Sequence, residues 1–476
     1  MATAVLPSSS MSGTDRSWTI APTLLWFVGC LGAGLWVLDG GVQAVADRLT
    51  TPRGGQTTPI AGPTFAAPQV AAAAQDDDED AAGPTLGGGG GGAPPPASGA
   101  LEDNCLDGTS EACRRWAMDP FYRAVAEEKR GKLGRPVRVS WYGDSVVATD
   151  AIPGRLRTRI QGELGDGGPG FVYVVPPHRF CGHEAITRTS GGSWFSHAIS
   201  TLQTPDGLYG VGGATAETDD GRATIKLVAG KATSVDLHYL AQPHGGTAVV
   251  LADGSEVVRA ETRGDAKEPR YAGAAIGSGA QQFKIETTGH VRLFGIDLEN
   301  ASGAVVDNLG IVSVNVKSWG NANPADFAAG LGHRGADLVM IMIGANEAQW
   351  LGAGDKDTKQ YAANYAKVLD PIRKARPDAA CLVVSPTDQA EATDNGYVSR
   401  PVMAPLIEEQ RKAAHASGCA FFSTYDWMGG KGSAAKWFRK GYVGSDFQHL
   451  TRKGANKMAD AVFEALMSGS RRYASR

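Results

Sequence analysis

Val137-Arg138-Val139-Ser140-Trp141-Tyr142-Gly143-Asp144-Ser145 is the stretch on which the reading of this chain turns. Its first six residues are rich in β-branched and aromatic types, which favour a strand. The strand runs into Gly143-Asp144-Ser145, a turn that leaves a serine at the strand's C-terminal end. Residues 115–131 before it and 155–164 after it carry helical patterns. Further on, residues 337–343 (DLVMIMI) form a continuous apolar run, as expected of a parallel strand covered on both faces. Tyr361, Tyr365, Val368, Leu369 and Ile372 make a single helical stripe. Residues 380–384 and 419–422 read as strands; 402–416 and 454–467 read as helices, the latter capped by Thr451. Strands alternating with helices imply an α/β sandwich around a central parallel sheet.

The rhythm changes between residues 187 and 302. Segments such as 223–227, 234–239 and 282–285 are short, recur at a spacing of about ten residues and are separated by Gly/Asp turns. This is the pattern of an all-β sandwich. It interrupts the α/β pattern, so the expected organisation is an inserted domain at 187–302, with the host domain split into 104–186 and 303–476.

The N-terminal hundred residues differ in kind. After a tail at 1–17, residues 18–38 are uncharged and mostly apolar, long enough to cross a bilayer as a helix. They read as a retained signal anchor, or as the core of a signal peptide cut after Ala44-Val45-Ala46. Residues 39–103 hold an acidic run at 76–80, six glycines at 87–92 and three prolines at 94–96. That composition cannot bury enough apolar surface to offset ordering entropy, and it reads as a tether. The tract helps explain why 63 of 476 residues are glycine, nearly double the usual share of about 7%. A formal net charge of -4 with no basic block argues against nucleic-acid binding. Cys105 and Cys113 could close a short loop in an oxidising compartment. Cys381 and Cys419 read as buried thiols or a bridge, and Cys181 has no evident partner.

Several motifs fail on context. Gly165-x-Gly167-x-x-Gly170 and Gly330-x-Gly332-x-x-Gly335 match a dinucleotide fingerprint, but both precede strands and read as turns. The nine histidines show no metal spacing. What remains is a set of polar residues at strand ends: Ser145, Asn346 within Gly344-Ala345-Asn346-Glu347, and Asp446 with His449 just before the last helix. A serine is a weak nucleophile until a base takes its proton. An imidazole base needs a group to fix its tautomer. Asp-x-x-His supplies both from one turn.

These residues resemble the blocks of the SGNH (GDSL-type) serine hydrolase family. The resemblance implies a flavodoxin-like three-layer α/β/α sandwich with Ser145 as nucleophile, His449 as base and Asp446 as its orienter. It also implies an oxyanion hole built from the Ser145 N–H, the Asn346 amide and a second-block glycine. The matching stretch is Leu309-Gly310-Ile311-Val312-Ser313-Val314, where Ser313 stands at the glycine position and Gly310 is an alternative donor. Gly165–Phe171, residues 306–310 and the inserted β region are similar to those of bacterial peptidoglycan O-acetylesterases, whose insert resembles a jelly-roll carbohydrate-binding module. Trp194, Phe195 and Tyr209 in the insert read as core or as glycan-binding aromatics. The expectation is an extracytoplasmic esterase that removes O-acetyl groups from cell-wall glycan. It would be held at the inner membrane with its catalytic domain in the periplasm, or secreted if the signal is cleaved. No metal or organic cofactor is required. The same residues would also serve an O-acetyltransferase, and a non-catalytic glycan binder is the reading from another class.

Overall fold

A computed structural model describes residues 101–394 and 396–475. The apolar run at 18–38 and nearly all of the tether lie outside the described residues. Among the described residues no helix is long and apolar enough to cross a membrane.

Five parallel strands form the central sheet: β1 (Val137–Gly143), β2 (Ala304–Gly310), β3 (Leu338–Met342), β4 (Ala380–Val384) and β5 (Ala420–Phe422). Their spatial order is β2-β1-β3-β4-β5, the flavodoxin-like order, which places a crevice at the strand C-termini between β1 and β3. Six helices cover the sheet: α1 (Asp119–Lys129), α2 (Ala151–Leu164), α3 (Pro324–Arg334), α4 (Asp355–Ala375), α5 (Met403–Ala416) and α6 (Arg452–Ala474). Strand side chains alternate between faces. Val139, Trp141, Leu338, Met340, Leu382 and Val384 pack with α1, α2 and α6. Tyr142, Val339, Ile341, Cys381 and Val383 pack with α3, α4 and α5. Burial on both faces is why these strands read as unbroken apolar runs.

Helix α1 begins only at Asp119, because Arg115–Trp116 pairs with Cys105–Asp107 and Pro120 suits a first turn. The folded chain starts before residue 104: Glu102 exchanges backbone hydrogen bonds of 2.8 and 3.0 Å with Phe421 on β5. Disulfides join Cys105 to Cys113 and Cys381 to Cys419; Cys181 is a buried free thiol.

Two antiparallel sheets are threaded between β1 and β2. One has five strands in the order 255–261, 247–252, 282–288, 222–227, 186–191. The other runs 268–280, 232–241, 291–299, 214–218, 195–198. Gly170–Val172 joins this second sheet against Val291–Glu299, so strand pairing with the sandwich begins before residue 187. Ile225, Val250, Phe283 and Ile285 from one sheet interdigitate with Val235, Leu237, Ile296 and Leu298 from the other. Arg334 at the end of α3 ties the layers together. It is buried and donates to Asp307 on β2 at 2.8 Å and to Glu299 on the sandwich at 2.5 Å.

Tyr209 is fully buried in the core shared with α3, whereas Phe195 is exposed and Trp194 lies partly buried against the sandwich. Gly330 and Gly332 are helical residues of α3, and Gly335 is its left-handed cap. A β-carbon at Gly330 would lie 2.7 Å from the Val211 nitrogen, so this glycine serves close packing.

Candidate active site

β1 ends at Gly143, and Asp144 caps the one-turn helix Ser145–Ala148 by accepting the Val146 N–H at 3.0 Å. Ser145 is thus the first residue of that turn, where a backbone N–H has no acceptor within the helix. Burial lifts the Asp144 carboxyl to about 6, partly opposed by the Val146 N–H. The Asp446–His449 turn crosses above. His449 Nε2 lies 2.8 Å from Ser145 Oγ, and His449 Nδ1 lies 2.6 Å from Asp446 Oδ2. Asp446 Oδ1 accepts the N–H groups of Gln448 and His449, each at 3.0 Å. Phe447, between them, adopts a left-handed φ of 55°.

Electrostatics follow from this chain. Burial alone would raise the Asp446 carboxyl, but the His449 hydrogen bond and the two backbone donors outweigh it and hold it at about 2. The Asp446 hydrogen bond raises His449 above its ordinary value against the opposing effect of burial. A carboxylate therefore faces an imidazole whose Nδ1 carries the proton, which leaves Nε2 free to accept from Ser145.

Asn346 follows β3 and donates from Nδ2 to the Val314 carbonyl at 2.7 Å. An amide nitrogen has two hydrogens, so one remains for a ligand. Glu347, the next residue, is buried; its Oε1 accepts the Val316 N–H at 2.7 Å, and burial lifts its carboxyl to about 7. Asn346 and Glu347 together grip the loop after β2.

That loop holds Ser313 in a left-handed conformation, φ 65°, and exposed. Left-handed backbone is the conformation glycine tolerates best; another residue there costs about 1–2 kcal/mol. Ser313 stands where the resemblance expects a glycine, and its backbone is glycine-like. Gly310, the alternative donor, must be set aside. Its N–H already donates to Asn308 Oδ1 at 3.1 Å. A β-carbon there would lie 2.3 Å from the Ala148 nitrogen, so Gly310 lets β2 approach the Ser145 helix.

Asn308 itself was not evident from sequence. Its Nδ2 donates to the carbonyls of Ala148 at 3.0 Å and Gly182 at 3.1 Å, which locks the helix after Ser145, the loop after β2 and the segment near Cys181 together. An Asp-Asn pair ahead of the block (Asp307-Asn308) was its only trace. Asp236, His238 and His333 form a separate cluster with metal-ligand chemistry. It lies between the sandwich and α3, and its groups are already paired: His333 with Asp236 at 2.5 Å and His238 with Asp297 at 3.1 Å.

Exposed aromatic rings surround the triad turn. Tyr397 stacks on Phe447 with centroids 4.2 Å apart, and Phe438 packs on the same ring at 4.8 Å. Gln448 accepts from Gln349 at 3.0 Å, and the neighbouring Trp350 is 53% exposed with Lys317 5.2 Å from its ring centre.

A parallel sheet in this order with a serine, histidine and aspartate hydrogen-bonded in series at its C-terminal edge is the arrangement that serine-nucleophile chemistry needs. The sequence matches the GDSL-like Lipase/Acylhydrolase family over residues 278–457, a stretch that holds Asn346, Asp446 and His449. Ser145 lies ahead of it, beyond the sandwich. The match supports an SGNH (GDSL-type) hydrolase, a carboxylic ester hydrolase. A solved peptidoglycan O-acetylesterase is similar in fold, with a TM-score of 0.64 at 24% identity over 74% of this chain and 96% of that one. An acetyl xylan esterase is 16% identical over 34% of this chain and 80% of its own, with a TM-score of 0.27. A family two carbohydrate esterase from Clostridium thermocellum is 10% identical over 58% and 99%, with a TM-score of 0.24. No curated protein matches the sequence.

Proposed function

We propose that this esterase removes O-acetyl groups from a cell-envelope glycan, peptidoglycan foremost, through an acetyl-enzyme on Ser145. The observation that carries the chemistry is the unbroken Ser145–His449–Asp446 hydrogen-bond chain. Ser145 Oγ attacks the ester carbonyl while Nε2 takes its proton. The oxyanion receives the N–H groups of Ser145 and Ser313 and the second hydrogen of the Asn346 amide. Collapse expels the sugar alkoxide, which recovers the proton from His449. Water then attacks the acetyl-enzyme, gives its proton to Nε2, and acetate leaves as Ser145 is reprotonated.

The glycan assignment draws on the aromatic rim of Trp350, Tyr397 and Phe438 beside the triad, since flat exposed rings suit the apolar faces of pyranoses. The likeness in fold to a peptidoglycan O-acetylesterase agrees with it. Two disulfides support an oxidising compartment. Residues 18–38 supply the anchor or signal that places the enzyme there.

The test compares acetate release from O-acetylated peptidoglycan, O-acetylated xylan and an aryl acetate, using wild type and Ser145→Ala. Wild type is expected to act on all three esters and to favour peptidoglycan over xylan, with Trp350→Ala raising KM on the polymers only. Activity in Ser145→Ala removes the mechanism. Aryl acetate hydrolysis without acetate release from either polymer removes the substrate assignment.

A further inference from the structure

The loop after β2 contains a turn, Ile311 to Val314, closed by the Val314 N–H on the Ile311 carbonyl at 3.3 Å. Ser313 is its third residue, with positive φ, and Val312, the second, is not among the left-handed residues. This is the type II arrangement, whose third position ordinarily requires glycine. The type I arrangement joins the same ends with negative φ at that residue, and any side chain accepts it. The two differ by a half-turn of the central peptide, the unit made of the Val312 carbonyl and the Ser313 N–H. A serine left to itself would favour type I, so the observed turn needs a restraint.

Ser200 supplies one. Its hydroxyl donates to the Val312 carbonyl at 2.8 Å. In a trans peptide the carbonyl and the following N–H point in opposite directions, so holding Val312 O aims the Ser313 N–H. Flipping the peptide would break the Ser200 bond and turn the carbonyl toward the place of the N–H. The other grips on this loop act on neighbouring peptides: Asn346 on the Val314 carbonyl and Glu347 on the Val316 N–H. Ser200 belongs to the segment joining sandwich strands 195–198 and 214–218. It is held firmly, because Ile199 beside it is buried, donates to Gly213 at 3.1 Å and accepts from Asn321 at 2.8 Å.

We infer that Ser200 is a positioning residue for the oxyanion hole, through which the inserted sandwich sets the catalytic peptide of the host domain. This deepens the mechanism proposed above and rests on the Ser313 N–H being an oxyanion donor. The sandwich is then part of the catalytic apparatus, and its removal disables hydrolysis of small esters as well as of polymers.

A double-mutant cycle on an aryl acetate tests this, with melting temperatures confirming that each variant is folded. Ser200→Ala should lower kcat about tenfold or more, up to the 10²–10³ that outright loss of one oxyanion donor costs, and leave KM little changed. Ser200→Thr, which keeps the hydroxyl, should recover most of the loss. In a Ser313→Gly background the turn needs no restraint, so adding Ser200→Ala should cost little; that non-additivity marks coupling through the peptide. Equal losses in both backgrounds, or wild-type kcat in Ser200→Ala, would overturn the inference. If Ser145→Ala is inactive while Ser200→Ala is silent, only this inference fails. If Ser145→Ala is active, the underlying mechanism fails.

Discussion

Asp446 gives the sharpest single perturbation, because its two oxygens have different tasks. Oδ1 accepts two backbone N–H groups at 3.0 Å and Oδ2 faces His449 Nδ1 at 2.6 Å. Asp446→Asn leaves one carbonyl oxygen for these positions. Two backbone donors compete for it against one ring nitrogen, so the oxygen settles at the Oδ1 place and the NH2 group points at Nδ1. An amide N–H there forces the ring proton onto Nε2, the atom that must accept from Ser145. A tautomer error of this kind costs about 10⁴ in kcat in a Ser-His-Asp triad. Asp446→Ala loses the anchor and the charge but imposes no tautomer, so it should be more active than the asparagine variant.

The pH dependence separates these effects. The base must be neutral, and Asp446 holds His449 above 6.5. Wild-type kcat/KM should therefore fall on acidification with a midpoint above 6.5. In Asp446→Ala the largest raising influence is gone and burial, which lowers the value, remains. The acid limb should move to lower pH while the plateau drops. Steady-state kinetics on an aryl acetate across the pH range read both quantities. An asparagine variant more active than the alanine variant, or an acid limb unmoved in both, would refute the reasoning.

Other outcomes follow from neighbouring groups. Asn346→Asp keeps the volume and loses the donor, so kcat should fall about 10²–10³ with KM preserved; a loss carried by KM would place the residue outside the oxyanion hole. Burial raises Glu347 from 4.5 to about 7, so its contribution to stability is full below 4.5 and lost as pH rises through 7. Glu347→Gln should abolish a decline of up to about 3 kcal/mol across that window in denaturant titrations, and an unchanged profile would contradict it. The Cys381–Cys419 bridge spans 38 residues, a loop worth about 4 kcal/mol in chain entropy. Replacing both cysteines with alanine should lower the denaturation midpoint accordingly, and an unshifted midpoint would show that packing alone holds β4 to β5.

The sheet was legible because its strands are buried on both faces and therefore carry unbroken apolar runs such as 337–343. The polar residues that converge on the site were legible because each sits at a strand end or in a turn just before a helix. What escaped the sequence depends on single hydrogen bonds or dihedral angles. Gly310 and Ser313 could not be ranked until the Asn308–Gly310 bond and the positive φ of Ser313 were known. Gly330 and Gly332 read as turn residues, yet α3 runs through both: Gly330 packs closely on Val211, and a β-carbon at Gly332 would meet nothing within 4 Å. Gly170–Val172 is too short to signal a strand, and its partner at 291–299 is more than a hundred residues away.

The position of the sandwich also sets the order in which the enzyme is completed. β1 is an interior strand, yet Ser140 on it and its partner Asp307 on β2 are separated by 167 residues. Ser145 and His449 are separated by 304. Contacts at such separation slow folding, although the entropy of closing a loop grows only logarithmically with its length. The sandwich contains most of its own strand pairings and can mature while β1 still waits for its neighbours. On a chain emerging from its N-terminus, the nucleophile is made early but stays without a base until nearly the last turn before α6. On the mechanism proposed above, the enzyme stays silent throughout its synthesis, and truncation just before Asp446 leaves a serine with nothing to take its proton.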